Sequence, residues 1–174
     1  MPSLFSGALI CTVLMLAVYI LKGVWPFGAG NVTYDDMAQG TLPIYYHLYD
    51  WLHGDKAMAF DWYTGLGTNI VNSGTFMPLD LVLCLFSRDK LLYGIGILII
   101  VKVAASAVTA KYVFDKLFGK AAQIWRVLFS VTYAMSAYSM FYYTNSFCLD
   151  FVVIFPLVLY GLKRLLTDNK PLAF

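Results

Sequence analysis

Four long apolar runs alternate with polar intervals along this chain, and their lengths set the expected architecture. Leu4 to Leu21 carries no charge over 18 residues. As a helix it is about 27 Å long against a hydrocarbon layer of roughly 30 Å, so residues 1–22 predict a first transmembrane helix. The run is longer than the apolar stretch of a signal peptide, lacks a basic segment before it and lacks a small-x-small site after it, so it reads as retained. Leu91 to Tyr112, interrupted only by Lys102 and Lys111, predicts a second span at 91–114. Ile124 to Tyr143, with Arg126 near its start, predicts a third at 124–143. Phe151 to Leu162, which carries Pro156 and draws on residues from Phe147 onward, predicts a fourth at 151–166. The links at 115–123 and 144–150 are short.

The polar interval from Gly23 to Lys90 has structure of its own. Lys22, Trp25 and Phe27 stand where interfacial anchors are expected. Thr41 to His53 predicts a short helix, with Thr41 as cap, Pro43 in the first turn and Gly54 at the end. Ile44, Leu48, Trp51 and Leu52 fall on one face with Tyr45 beside them, while His47, Asp50 and His53 point elsewhere, the pattern of a helix lying in the membrane interface. Phe60 to Asn69 reads as a loop in which Gly65 and Gly67 allow positive φ. Met77 to Phe86 is apolar but too short to span. The predicted fold is an all-α integral membrane bundle of several spans, with residues 23–90 as a loop carrying interfacial helices.

Composition sharpens this picture. Apolar residues make up 60% of the chain and charged residues 13%, about half the charged share of a soluble domain. A net charge of +2, with aromatics in apolar runs rather than among Lys and Arg, sets nucleic acid aside. There is no Glu, and seven of the ten Asp residues fall in the polar interval. Cys11, Cys84 and Cys148 have neither zinc nor disulfide spacing and read as small apolar residues. His47 and His53, six apart, do not share a helix face and make no metal pair.

Charge also orients the chain. Residues 111–126 hold four basic residues against one Asp and residues 163–170 three against one, whereas 23–90 holds three against seven. Basic loops stay inside, so the amino terminus is expected to be cytoplasmic and the acidic interval extracytoplasmic. The link near Thr144 to Asp150 then emerges on the same face as Asp35. Pro171 to Phe174 turn apolar again, so the chain reads as the opening part of a longer protein.

Chemistry concentrates at a few residues. Asp35 and Asp36 follow the first span near the interface, where a partly hydrated carboxylate can serve as a base; capping of the next helix is the alternative, and the stronger one for Asp36. Lys102 lies about 16 Å down the second span, a costly place for a charge, and is expected either to pair with an acid beyond this chain or to meet a lipid phosphate. Asp150 is either an interfacial residue or a site carboxylate. The sequence contains no G-x-S-x-G, Walker A, H-E-x-x-H or strand-linked Rossmann motif, and so gives no support to ATP-driven or zinc chemistry.

The order of features resembles the amino-terminal part of the bacterial YfhO-type integral membrane proteins, which belong with the GT-C glycosyltransferases. The resemblance rests on Gly23-Val24-Trp25-Pro26-Phe27-Gly28, Asp35 with Gln39, Trp62 with Gly65-Leu66-Gly67-Thr68-Asn69, Lys102, Ser130 to Tyr138, and Asn145 followed by Leu149-Asp150 and Pro156-Leu157. Asp36 departs from it, since a non-acidic residue is expected there. It implies a GT-C-like enzyme that moves a sugar from a polyprenyl-phosphate carrier to a cell-envelope acceptor such as a teichoic acid, outside the bacterial cytoplasmic membrane. Under that implication Asp35 or Asp36 is catalytic, and Gln39, Trp62, Asn69, Arg88, Lys90, Lys102, Asn145 and Asp150 bind substrate. No metal ligand is assigned and no cofactor is certain, though the Asp pair leaves a divalent metal open. A transporter or flippase of lipid-linked sugars, with Lys102 and Asp150 lining its path, is the alternative, and a noncatalytic assembly subunit is a third.

Overall fold

The computed structural model describes residues 4–54, 60–62, 67–69 and 77–168. Gly65, Leu66, Asp55 and Lys56 of the polar interval, and Lys170 to Phe174 of the tail, lie outside the described residues. The fold is almost entirely helical: α1 Ser6–Lys22, α2 Leu42–Leu52, α3 Leu91–Leu117, α4 Gln123–Ala134, α5 Ala137–Phe141 and α6 Ser146–Asp168. Two segments, Arg88–Leu117 and Ser146–Thr167, are long and apolar enough to cross a membrane, and α1 is a shorter apolar helix.

Helix α3 is the axis. Leu91, Ile95, Leu98, Ile99, Val103 and Ala107 are sealed among its neighbours. Helix α1 runs antiparallel to it, since the Tyr19 hydroxyl donates to the Gly96 carbonyl at 2.9 Å and Gly7 faces Ala107. The glycine at position 7 is a close approach: a Cβ there would stand 2.5 Å from Ser130 Oγ of α4. Helix α4 is antiparallel to α3, with Arg126 bonded to Asp115 at 2.8 Å. Helix α6 runs parallel to α3, since Lys102 meets Asp150 and ten residues further on Tyr112 meets Tyr160. The fourth residue before Asp150 begins α6, so α6 starts roughly 10 Å below the start of α3. Helix α2 and a 3-10 helix, Pro78–Leu85, pack on α3 near that end.

Of the four expected spans, the second and fourth are long and apolar enough to cross a membrane, and the bounds of the third and fourth and the start of α2 differ from the expectation. The third is broken: α4 ends at Ala134, and Ser136, in extended conformation, caps α5 by accepting from the Ser139 amide. A serine that offers its own side chain to the backbone competes with helix continuation. The fourth begins at Ser146 rather than 151 and absorbs most of the predicted 144–150 link. Thr41 does not cap α2; a π turn, Met37–Thr41, leads into it, and Thr41 Oγ1 instead donates to the Thr144 carbonyl at 3.4 Å.

Pro156 sits inside α6, where it has no N–H for the carbonyl four residues earlier, that of Val152. The Tyr133 hydroxyl of α4 donates to that carbonyl at 2.8 Å. An orphaned polar group in an apolar setting costs about 1–3 kcal/mol, so Tyr133→Phe is expected to destabilise the protein by that amount. In a Pro156→Ala background, which restores the amide, most of the loss should vanish. A denaturation cycle over the four proteins in detergent checks this; equal losses in both backgrounds would contradict it.

Candidate functional site

The chain between α1 and α2 closes tightly before it reaches its acidic residues. Gly23, at φ 62°, ends α1, and its carbonyl accepts from the Gly30 amide at 2.9 Å. A Cβ on Gly28 would lie 2.4 Å from that same carbonyl oxygen, which explains the glycine at that position. Trp25 stacks on Tyr93 of α3 at 5.1 Å. The chain then runs out to Tyr34 and Asp35, whose φ of 54° is left-handed, a conformation Asp tolerates better than most residues. The Asp35 carbonyl accepts from the amides of Ala38 and Gln39, and its side chain is exposed.

The 34–36 and 143–145 segments meet at this end of the bundle. Asn145 Nδ2 donates to Asp36 Oδ2 at 3.1 Å. The Tyr143 hydroxyl donates to that of Tyr34 in a short hydrogen bond, with the rings edge-on at 5.9 Å. Burial, followed by that hydrogen bond, pushes the Tyr143 hydroxyl upward from its ordinary value.

Two hollows flank this junction. An open one of about 380 Å³ is lined by Asp36, Gln39, Thr41, Asn145 and Phe147 among others. An apolar groove of about 430 Å³ is lined by Met15, Val18, Val32 and Ile99, with Tyr19, Lys22, Asn31, Tyr34 and Tyr143 as polar members. Both fall within the size range of ligand pockets. Tyr34 lines the groove and Asp36 the open hollow, and Tyr143 and Asn145 divide between them in the same way, so the same two segments contribute to both.

Beneath this surface Lys102 has found its partners inside the chain. Its ammonium lies 2.7 Å from Asp80 Oδ1 and 2.6 Å from Asp150 Oδ2, and donates to Ser146 Oγ at 2.9 Å. Tyr45 of α2 donates to the same Ser146 Oγ at 2.6 Å. Exposure is 0% for Lys102, 1% for Asp80 and 3% for Asp150. Burial, then the charge of Asp80, pushes the Tyr45 hydroxyl well above its ordinary value, so it stays a donor. Asp80 also accepts from the Met77 amide at 3.0 Å, fixing the start of the 3-10 helix.

This arrangement corrects two readings. Lys102 needs no acid from beyond the chain and, sealed by two carboxylates, reaches no lipid phosphate. Asp150 is its counterion rather than an interfacial substrate ligand, because a buried cation recruits the nearest acids. Both side chains are buried among the described residues. The sequence marks Asp80 only as the sole charge of the short apolar run Met77 to Phe86.

Of the other candidate residues, Asp36, Gln39 and Asn145 are brought together, with Asp35 at their edge. Arg88 is not among them: it forms a two-pronged pair with Asp50 at 2.7 and 3.2 Å and lies over Tyr46, at the far end of α2. Lys90 is exposed at the start of α3. Asn69 sits on a two-stranded antiparallel ribbon, β1 Phe60–Asp61 and β2 Thr68–Asn69, and Trp62 directly follows β1, where a plain loop was expected. Asp61 lies 3.8 Å from His47 of α2, which hangs the ribbon on α2 away from the hollow. His47 and Asp50 are thus buried rather than interfacial, while Leu52 is exposed: charged partners brought by later segments, not the apolar stripe alone, chose the buried face. No cluster of three or more metal-ligating side chains occurs among the described residues.

No curated protein and no solved structure matches this sequence. A family model described as "Bacterial membrane protein YfhO" matches residues 6–174. With the match running over nearly the whole chain, and with two helices of spanning length and apolarity, the chain belongs to the YfhO family of bacterial membrane proteins.

Proposed function

We propose that this chain carries part of the catalytic site of a GT-C-type glycosyltransferase, which moves a sugar from a polyprenyl-phosphate donor to a cell-envelope glycan on the extracytoplasmic face. The observation that carries the reading is that the 34–36 and 143–145 segments line both an apolar groove, through Tyr34 and Tyr143, and an open hollow with polar lining, through Asp36 and Asn145. A donor with an apolar tail and a sugar head needs such a pair of environments, one for each end.

The chemistry then assigns itself to the acidic turn. The acceptor hydroxyl passes its proton to the Asp35 carboxylate while its oxygen bonds to the anomeric carbon. The bond from that carbon to the phosphate oxygen breaks, and the electron pair leaves on the lipid phosphate. Asp35 is favoured over Asp36 because it is exposed and forms no side-chain hydrogen bond among the described residues, whereas Asp36 is held by Asn145. Asp36 and Asn145 act as a strut that sets the position of the turn. Gln39, in the hollow, offers an amide to the acceptor or sugar. The test is sugar transfer from a polyprenyl-phosphate donor by membranes carrying the full-length protein, wild type against Asp35→Asn and Asp36→Asn at matched expression.

A further inference from the structure

Of the cations first expected to bind substrate, Lys102 is engaged by Asp80 and Asp150 and Arg88 by Asp50, while Lys90 is exposed at the start of α3 and does not line the groove. Lys22 is different. It is exposed in the last turn of α1, forms no hydrogen bond or ion pair among the described residues, and lines the apolar groove. None of the residues lining that groove is acidic, so its one formal charge is uncompensated and positive.

Two hydroxyls stand with it. Tyr143 donates to Tyr34, which leaves the Tyr34 O–H proton available to an acceptor. Tyr19 is spoken for by the Gly96 carbonyl. The groove therefore presents apolar walls from Met15, Val18, Val32 and Ile99 and, in the same lining, an ammonium, a hydroxyl donor and the Asn31 amide. An ammonium and a hydroxyl together match the oxygens of a phosphate.

We infer that Lys22 and Tyr34 form the phosphate-binding site of the groove, and that its occupant is a polyprenyl phosphate whose first isoprene units lie along α1 and α3. The inference rests on the donor class proposed above and supplies the residues that hold its phosphate. On this inference the ligand's parts run in order: tail against Met15 and Val18, phosphate at Lys22 and Tyr34, sugar toward Gln39 and Asn145 of the neighbouring hollow. The ordinary alternative is that Lys22 only snorkels to whatever anionic headgroup is near.

The experiment uses the full-length protein in nanodiscs of zwitterionic lipid and reads binding of undecaprenyl phosphate by native mass spectrometry. Undecaprenol, inorganic phosphate and phosphatidylglycerol serve as competing probes. A charge-assisted hydrogen bond supports a loss of about tenfold or more in affinity for Lys22→Gln, with Lys22→Arg restoring most of it and Tyr34→Phe giving a smaller loss. Undecaprenol should bind wild type and Lys22→Gln alike, inorganic phosphate should compete poorly, and Val18→Trp, which fills the groove, should abolish binding of both lipids.

Equal affinity of Lys22→Gln and wild type for undecaprenyl phosphate overturns the site. So does a parallel loss for undecaprenol, which would mark a structural defect, or displacement by phosphatidylglycerol at equal concentration, which would mark headgroup anchoring. Strong competition by inorganic phosphate alone would overturn the lipid occupant. Lys22-dependent binding without sugar transfer by the wild type would leave the site standing and remove the transferase reading; transfer that is indifferent to Lys22 would do the reverse.

Discussion

Lys102→Met should be among the most destabilising single substitutions in this chain, with an expected loss of about 3–5 kcal/mol. The ammonium stands between Asp80 and Asp150, 2.7 and 2.6 Å away, with all three side chains sealed. Removing it leaves two carboxylates facing each other with no water to screen them. The damage would spread, because the cluster joins three elements: α3 through Lys102, α6 through Ser146 and Asp150, and the 3-10 helix through Asp80. Tyr45 adds α2 through its bond to Ser146.

A second variant separates the lost charge from lost packing. Lys102→Met combined with Asp80→Asn and Asp150→Asn should recover much of the stability, since a neutral buried group of similar volume needs no counterion. Unfolding in mixed micelles, followed by denaturant titration of the full-length protein, reads both. If Lys102→Met alone stays within about 1 kcal/mol of wild type, well short of the expected loss, the cluster does not bind these elements together.

Asp35→Asn should lower sugar transfer by about two to four orders of magnitude, the range of a lost general base, while donor binding stays intact. The substitution is well suited to the backbone: Asp35 has φ 54°, and Asn is among the residues that enter the left-handed region most readily. A fall in activity would therefore report the carboxylate and not a broken turn. Asp36→Asn keeps an amide oxygen that can still accept from Asn145, so its transfer should remain within about tenfold of wild type, a loss no larger than that of weakening one hydrogen bond. The opposite ranking would move the base to Asp36, and normal transfer in both would remove the pair from catalysis.

Much of this arrangement was legible without coordinates. The apolar runs located α1 and α3 and the greater part of α6 but missed the break after Ala134, Gly54 and Pro43 bracketed α2, and alternation of spans implied that the Asp35 turn and the Asn145 region lie at one end of the bundle, where Asp36 and Asn145 meet. Chemistry was less legible where it depended on pairing. Lys102 was visible as an unusual charge, but Asp80, 22 residues away in a different element, carried no mark of being its partner. Arg88 read as a cation open to substrate until Asp50, two turns from where α2 begins, was found beside it.

The sequence by itself determined that the chain is largely helical and apolar and where acidic and glycine-rich turns fall, because hydrophobic periodicity and local backbone preference act over a few residues; it predicted four spans, where the structure has, among the described residues, two helices long and apolar enough to cross a membrane. Only the tertiary structure decided which charges cancel and which remain exposed. Packing placed Asp80 and Asp150 on Lys102 and Asp50 on Arg88, and left Lys22 facing a groove with no acid in its lining. A buried charge must be compensated by whatever the fold brings within a few ångströms, and that proximity is set by how α2, α6 and the 3-10 helix dock on α3, which no local stretch of sequence encodes.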